Sequence, residues 1–560
     1  MLGRILNTLN YRLKSELREW RNKNSRFKEY AWSWPQKILM AASVRPVQSL
    51  STISFFAVFI SALIYIYHAI LDLLCVSYPP TLSESGQKFF ALWTVQATIA
   101  ALIYPIVIGF VSLLLQRRHS AKASLFVYLH ESAAIITGLS GLFLVILMGI
   151  QFIFVDMVYE NVTKGWLIFD TIWFLANILG VVWFLSHTFA YLMPNRRSKI
   201  IRSYAINHIL PAELSKNLKN HFFSAAVQYK WVPGPDYGDK EEKSDTATLM
   251  GPIGRDMGVV QVKGPSKAEM IVGDVRFRLL SIAIRNWKRR EKKLSLSSKE
   301  KHEPIFGWSQ VPLLILPLGP GDSFDANVGL CRTEGGAGLK WWERYLIRLS
   351  FTLVPPSSDS SFLNVNEILS ELVVDLQIYL QAGEKVAFRE ALHELVDLHV
   401  DLIQTCSFVN GLGEQDNYSN LVDSGHAFYG DQMHQLWTSE YRPLIEAAVD
   451  RLYVSEVHFN HLIYVPGWII SRLKDVRPIT IQIHILNLSR FLHYRLNRWW
   501  AKSAEEQGFR NHNACEPCSL KEPLFSIYDS AIKQFIGAWE SLKNYRFPQI
   551  NDGQINWQDL

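Results

Sequence analysis

Charge is what this sequence has least of, and it is missing in blocks. Residues 89–115 contain no Asp, Glu, Lys, Arg or His, and charged residues make up only 19% of the chain, against roughly 25% in ordinary soluble domains. A helix on the surface of a soluble domain must turn one polar face to water, so a charge-free stretch of this length excludes that placement. Cysteine is also scarce. The five present, Cys75, Cys331, Cys406, Cys515 and Cys518, are too few and too unevenly spread for a disulfide framework. No nucleophile elbow, kinase signature or cyclase pattern occurs. Gly319-Pro320-Gly321-Asp322 and Gly335-Gly336-Ala337-Gly338 are glycine-rich but lack the Lys-Ser/Thr of a phosphate loop and the spacing of a dinucleotide turn. Asp322, Asp325 and Asn327 do not have EF-hand spacing. A cleavable signal peptide is not expected, because the opening basic stretch and the first apolar run are both too long for one.

Four apolar runs are present instead, at residues 49–78, 89–115, 132–155 and 165–193. Each exceeds the roughly 20 residues that cross a hydrocarbon core as a helix. The expectation is an α-helical polytopic membrane domain of four spans followed by a cytosolic α+β domain. Orientation follows from the short connections. Arg4, Arg12, Lys14, Arg18, Arg21, Lys23, Arg26, Lys28, Lys37 and Arg45 precede the first run. Arg117, Arg118 and Lys122 fill the second connection, and Arg196, Arg197, Lys199 and Arg202 follow the fourth run. The other two connections hold one lysine each, Lys88 and Lys164, offset by Glu84 in the first and by Asp156 and Glu160 in the second. Both termini are therefore expected in the cytoplasm of a cell whose plasma (inner) membrane holds the protein. The sequon Asn161-Val162-Thr163 falls outside. Residues 1–48 carry a surplus of seven positive charges while the whole chain is only +6. The basic balance thus belongs to a membrane-facing segment, and nucleic acid is not an expected partner.

Four regions follow from composition: a basic amphipathic segment at 1–48, the spans at 49–193, a membrane-proximal and β-containing module at 194–355, and a helical module at 356–560. In the first, Leu2, Ile5, Leu6, Leu9, Leu13, Leu17 and Trp20 recur every three or four residues between Arg and Lys. Such a stripe suits a helix lying in the bilayer interface, or one packed on the protein's own cytosolic part. Beyond the spans, residues 203–231 read as helix, 233–245 as a surface loop, and 258–262, 274–279 and 312–318 as strands, the second by its alternation of period two. Helices are expected at 366–381, 384–405, 442–457, 481–500 and 524–545. The layout, with a loop-strand step at Gly258-Val259-Val260-Gln261 and a later Gly273-Asp274 turn, resembles uncharacterised bacterial predicted-membrane-protein families that join N-terminal spans to a cytosolic α+β tail. That resemblance implies no catalytic residue.

Ionisable groups inside spans are expensive and often functional. His68 and Asp72 fall in the outer half of the first run, Gln96 in the outer third of the second, and Asp170 near the outer end of the fourth. His187 falls in the inner half of the fourth, at a depth near His130 and Glu131. They either line a path or pair across helices. Pro105 and Gly109, with Gly138 and Gly141, permit a kink and close helix approach. His512-Asn513-Ala514-Cys515-Glu516-Pro517-Cys518 has the spacing of half a zinc site, with His512, Cys515 and Cys518 as ligands and a fourth needed from afar, for which Cys331 or Cys406 is available. A redox pair and ordinary loop cysteines are the alternatives. His393-Glu394-Leu395-Val396-Asp397 misses a zincin motif by its last residue, and Glu390, Glu394, Asp397 and Asp401 form an acidic stripe that reads as a solvated helix face. The basic cluster around Arg285–Lys293 with Trp287 reads as a solvated helix, with lipid headgroups or an acidic partner as alternatives.

Three functions fit: an oligomeric channel or membrane effector gated by a cytosolic sensor of a protein or small ligand, a membrane-anchored scaffold or signalling module, and a tethered enzyme without a recognisable motif. The topology is directly testable. Single cysteines at Ser85 or Glu160 are expected to react with an impermeant thiol reagent on intact cells, and cysteines at Ser120 or Ser198 only after permeabilisation. Labelling of Ser120→Cys on intact cells would sink the four-span arrangement.

Overall fold

The structure, a computed structural model, describes residues 7–44, 46–73, 83–117, 122–154, 160–224, 226–227, 230–233, 247–250, 258–263, 270–297, 312–324, 329–335, 338–355, 363–409, 418–420, 430–473, 479–506 and 522–544. Helices dominate. In chain order they begin with α1 (Leu9–Lys23), α2 (Ser25–Glu29), α3 (Trp34–Val44), α4 (Pro46–Leu73), α5 (Ser83–Arg117), α6 (Lys122–Glu131), α7 (Ala134–Phe154) and α8 (Glu160–Leu192). Then come α9 (Pro194–Tyr204), a π turn (Ala205–Ile209) and α10 (Leu210–Ser224). Strands β1 (Ala247–Met250), β2 (Val259–Val262) and β3 (Met270–Val275) precede α11 (Phe277–Ser297), and β4 (Leu313–Leu316), β5 (Ser323–Phe324) and β6 (Cys331–Glu334) precede α12 (Trp341–Ser350) and β7 (Phe351–Val354). After these lie α13 (Val365–Ala382), α14 (Lys385–Cys406), the short strands β8 (Ser407–Val409) and β9 (Tyr418–Asn420), and α15 (Gly430–Ser439). The chain closes with α16 (Arg442–Asp450), α17 (Leu452–Ile463), α18 (Val465–Arg472), α19 (Ile479–Glu506) and α20 (Glu522–Asn544).

Packing divides the chain into two units, each gathered from separated stretches of sequence. The first holds Met1–Lys28, His208–Asn364 and Cys406–Gly430; the second holds Glu29–Asn207, Val365–Thr405 and Asp431–Leu560.

In the first unit, β1-β4-β6-β2 form one sheet, with β1 parallel to β4 and the other pairs antiparallel, and β5-β3-β7 form a second, antiparallel throughout. Gly258, which leads into β2, has φ +72°, and a Cβ there would lie 2.6 Å from the Thr333 carbonyl oxygen. Only glycine fits where the two backbones approach so closely. The alternation over 274–279 forms a strand only as far as Val275; from Phe277 the chain is α11. The physical reason is length. Phe277, Leu280, Ala283, Ile284 and Trp287 are all buried and recur at helical spacing, and this longer period outweighs three alternating residues.

α1 packs against α10 and β3. The Thr8 hydroxyl caps α1 by accepting from the Tyr11 amide, and the Asn10 amide donates to Asp274 Oδ1 at 3.0 Å. The Arg12 guanidinium lies over the Trp231 ring. Leu9, Leu13 and Trp20 are buried and Leu17 is half-buried. This corrects the expectation of a lipid-facing stripe for these four: protein covers the face that would have met acyl chains. Leu2, Ile5 and Leu6 lie outside the described residues.

In the second unit, three helical segments are long and apolar enough to cross a membrane: Phe89–Ser112, Ala134–Phe154 and Gly165–Leu192. Most of the first apolar run forms α4, many of whose side chains lie outside the described residues, so three spans rather than four qualify among those described. α5 and α7 meet closely because α7 offers glycines. A Cβ on Gly141 would lie 3.3 Å from Gln96 Nε2 and 3.4 Å from the Ala100 Cβ, the small-residue contact that brings membrane helices together. The expected helix over 442–457 is broken into α16 and α17 at Arg451.

The helical module of this unit buries His399 among Trp437 and Tyr441, its Nδ1 3.2 Å from the Tyr441 hydroxyl. Burial holds the imidazole neutral and lowers its pKa to about 4. A base with a depressed folded pKa contributes stability above its unfolded value that is lost as pH falls. The window here runs from pH 6.5 down to about 4. Relative to His399→Gln, which does not titrate, the wild-type protein in detergent is expected to lose about 3 kcal/mol across that window. Parallel pH profiles of the two melting temperatures would show that His399 is not held neutral.

Candidate functional site

Polar side chains on α5, α6, α7 and α8 meet along the seams between these helices. Ser140 Oγ donates to Asn177 Oδ1 at 2.7 Å and accepts from Trp173 Nε1 at 2.9 Å. Nearer the Arg/Lys-rich ends, the Tyr128 and Thr188 hydroxyls lie 3.2 Å apart, and the Tyr191 hydroxyl donates to the Ser124 carbonyl at 2.7 Å. Residue numbers rise on α6–α7 as they fall on α8, the register of an antiparallel pair. Such interhelical bonds contribute on average about 0.6 kcal/mol each in a bilayer. The Ser140 triad reads first as helix-to-helix adhesion.

The residues singled out in the sequence fall at different places along this seam. Gln96 is buried and its Nε2 reaches the Gly141 carbonyl at 3.4 Å, while its Oε1 has no partner. Asp170 is fully buried beside Gln151. His187 is half-buried, stacks on Trp183 at 4.1 Å, and has its Nδ1 3.1 Å from the Trp183 carbonyl oxygen. Trp183 Nε1 in turn donates to the Glu131 carbonyl at 3.4 Å, so the structure brings His187 and Glu131 to one level. The Glu131 carboxyl is buried with Oε1 unpartnered, and burial pushes its pKa up to about 7. His130 packs on Phe126 at 4.2 Å and near Tyr204, and burial lowers its pKa. His68 and Asp72 belong to α4, but their side chains lie outside the described residues. His512, Cys515 and Cys518 lie outside them too. Cys331 and Cys406 are buried and form no disulfide, and no cluster of three His, Cys, Asp or Glu suited to a metal occurs among the described residues.

Between Glu131 and α7 the helix is interrupted. Ala133 has φ +56° and is fully buried, a left-handed conformation that costs a non-glycine residue about 1–3 kcal/mol. The short helix α6 on the near side of this break is held at its other end by the helical module. Glu371 of α13 accepts from the Ala123 amide at 2.7 Å and from the Ser124 amide at 3.1 Å, one carboxylate oxygen for each. A helix start leaves its first amides without intrahelical partners and carries a partial positive charge; a buried carboxylate satisfies both conditions.

A second attachment lies just after α8. Arg202 reaches Asp401 at 3.3 Å and Asp397 at 3.6 Å, and Arg197 reaches Glu394 at 3.8 Å. Arg472 also pairs with Asp397, and the Tyr30 hydroxyl donates to Asp401 Oδ2 at 2.6 Å. Burial, together with this hydrogen bond, pushes the Tyr30 hydroxyl pKa upward. The acidic stripe of α14 is therefore not a solvated face, a correction to the expectation for Glu394, Asp397 and Asp401; Glu390 alone is exposed. The reason is that the cations expected to mark one side of the membrane are themselves its partners. His393 and His399 do diverge, the first stacked on Trp468 and the second tilted against Tyr441.

Glu371, Ala133, Ser140, Asn177 and Tyr30 were not evident in the sequence. Glu371 alone left a signal, as an acidic residue set among the buried apolar positions Ile368, Leu369, Leu372 and Val373. No protein-family model matches the chain, and neither curated proteins nor solved structures show a significant similarity to it.

Glu371→Ala is expected to leave the Ala123 and Ser124 amides unsatisfied and lower stability by about 2–4 kcal/mol, read as a drop in melting temperature in detergent. Glu371→Gln, which keeps one acceptor, should lie between. An unchanged melting temperature for Glu371→Ala would mean that the cap does not hold α6.

Proposed function

We propose that this chain is a multi-pass protein of the plasma (inner) membrane, with four spans, both termini cytoplasmic, and a helical module that controls the state of the spans. The function is that of a membrane effector or channel, active as a homo-oligomer, whose cytosolic part senses a protein or small ligand. The observation that carries this is the double attachment of the module: Glu371 on the start of α6, and α14 on Arg197 and Arg202. A tether needs only a linker. Two built contacts, each on a short helix joined to a candidate span by one or two residues, are what a coupling device requires.

A second reading, the membrane-anchored scaffold, is favoured by one observation. Asp170 and Gln96 are buried among the chain's own helices, which is where structural pairing puts them and where a pore between subunits would not. Ion flux from proteoliposomes separates the two. Arg202→Asp should change flux at least about tenfold, since a coupling free energy of 1–3 kcal/mol corresponds to 5–150-fold, and Arg202→Asp combined with Asp401→Arg should restore the wild-type level. Absence of flux in wild type, single variants and the charge swap alike would favour the scaffold and overturn gating.

A further inference from the structure

The first unit carries an amphipathic face that none of its described residues covers. On α12, Trp341 is 80% exposed and Tyr345 59% exposed, with Leu349 38% exposed one turn further on. The intervening Arg344 and Arg348 are exposed as well, so one side of this helix presents Trp, Tyr, Leu and two guanidinium groups together. The opposite side is ordinary core: Glu343, Ile347 and Ser350 are buried.

α11 is the helix packed beside α12. Arg276, immediately before it, donates through its amide to the Ser350 carbonyl, and Arg290 reaches the Gly338 carbonyl and the Glu343 carboxylate. The two helices are therefore antiparallel neighbours, and Ile282, Arg285 and Arg289 of α11 are exposed as well. The acidic residues of the two helices, Glu291 and Glu343, are both buried, and Glu343 is paired with Arg290. Among the described residues of α11 and α12, every exposed charged side chain is cationic.

We propose that this face docks on the surface of an anionic bilayer. Aromatic rings and Leu349 enter the boundary between headgroups and acyl chains, and the arginines meet lipid phosphates. Three observations select lipid over other partners. Trp and Tyr beside Arg is the composition of membrane interfaces, where a ring buries its body and keeps its polar edge wet. A face of one charge sign matches an anionic leaflet. The same chain contains helices able to cross a bilayer, so such a surface is always within reach of this unit and docking is effectively intramolecular.

The test uses the full chain in nanodiscs, with Cys75, Cys515 and Cys518 changed to Ser and the buried Cys331 and Cys406 retained. Trp341→Cys, and separately Tyr345→Cys, carries an environment-sensitive nitrobenzoxadiazole label. In nanodiscs containing phosphatidylglycerol the emission should shift to the blue and be quenched by lipids spin-labelled near the headgroup. Iodide quenching should fall roughly fivefold against phosphatidylcholine alone, and the protection should weaken as salt rises. Arg344→Glu with Arg348→Glu should abolish it in particles that remain monodisperse. Equal iodide access in every lipid would overturn the proposal. So would protection that appears only when a nucleic-acid oligonucleotide is added, or only when two copies share a disc.

Discussion

A single carboxylate settles how the helical module meets the span bundle. Helix α6 is ten residues long, too short to be stable by its own hydrogen bonds in water, and its first amides point into protein rather than solvent. Glu371 supplies the acceptors that these amides lack. Once α6 is fixed, Tyr128 and Tyr191 can bond across to their neighbours, and the remaining contacts of α6 and α8 follow. Removing that one acceptor leaves buried donors unsatisfied, a larger penalty than the net worth of any surface ion pair.

The arginine contacts after α8 act in another way. Arg202 is partly buried and faces two carboxylates, while Tyr30 holds one of those carboxylates in place. A shared network fixes geometry more than it adds stability, and geometry is what a coupling contact has to preserve. The same residues serve two ends. The cations that the sequence offers as markers of orientation are the docking points for α14.

Much of the architecture was legible in the sequence because it is written in periodicity. Strands β2 and β4 and helices α13, α14, α19 and α20 fall within a few residues of their expected places. The failures share one cause: a periodic stripe records that a face is apolar or charged and is silent about what covers it. Leu9, Leu13 and Trp20 spell an interfacial helix but are covered by protein. The acidic stripe of α14 spells a solvated helix but is paired. The exposed stripe of α12 is only ten residues long and was hidden by its short length. Contacts between residues such as Glu371 and Ala123, far apart in the chain, leave no local pattern at all.

The left-handed residue between α6 and α7 has a mechanical consequence. A continuous helix behaves as a stiff rod, so a twist applied at one end reappears at the other. Ala133 interrupts the ladder of backbone hydrogen bonds, and a rod broken in this way passes on a push along its axis far better than a rotation about it. Whatever moves α6 would therefore reach α7 as a displacement, with most of the torque dissipated at the joint.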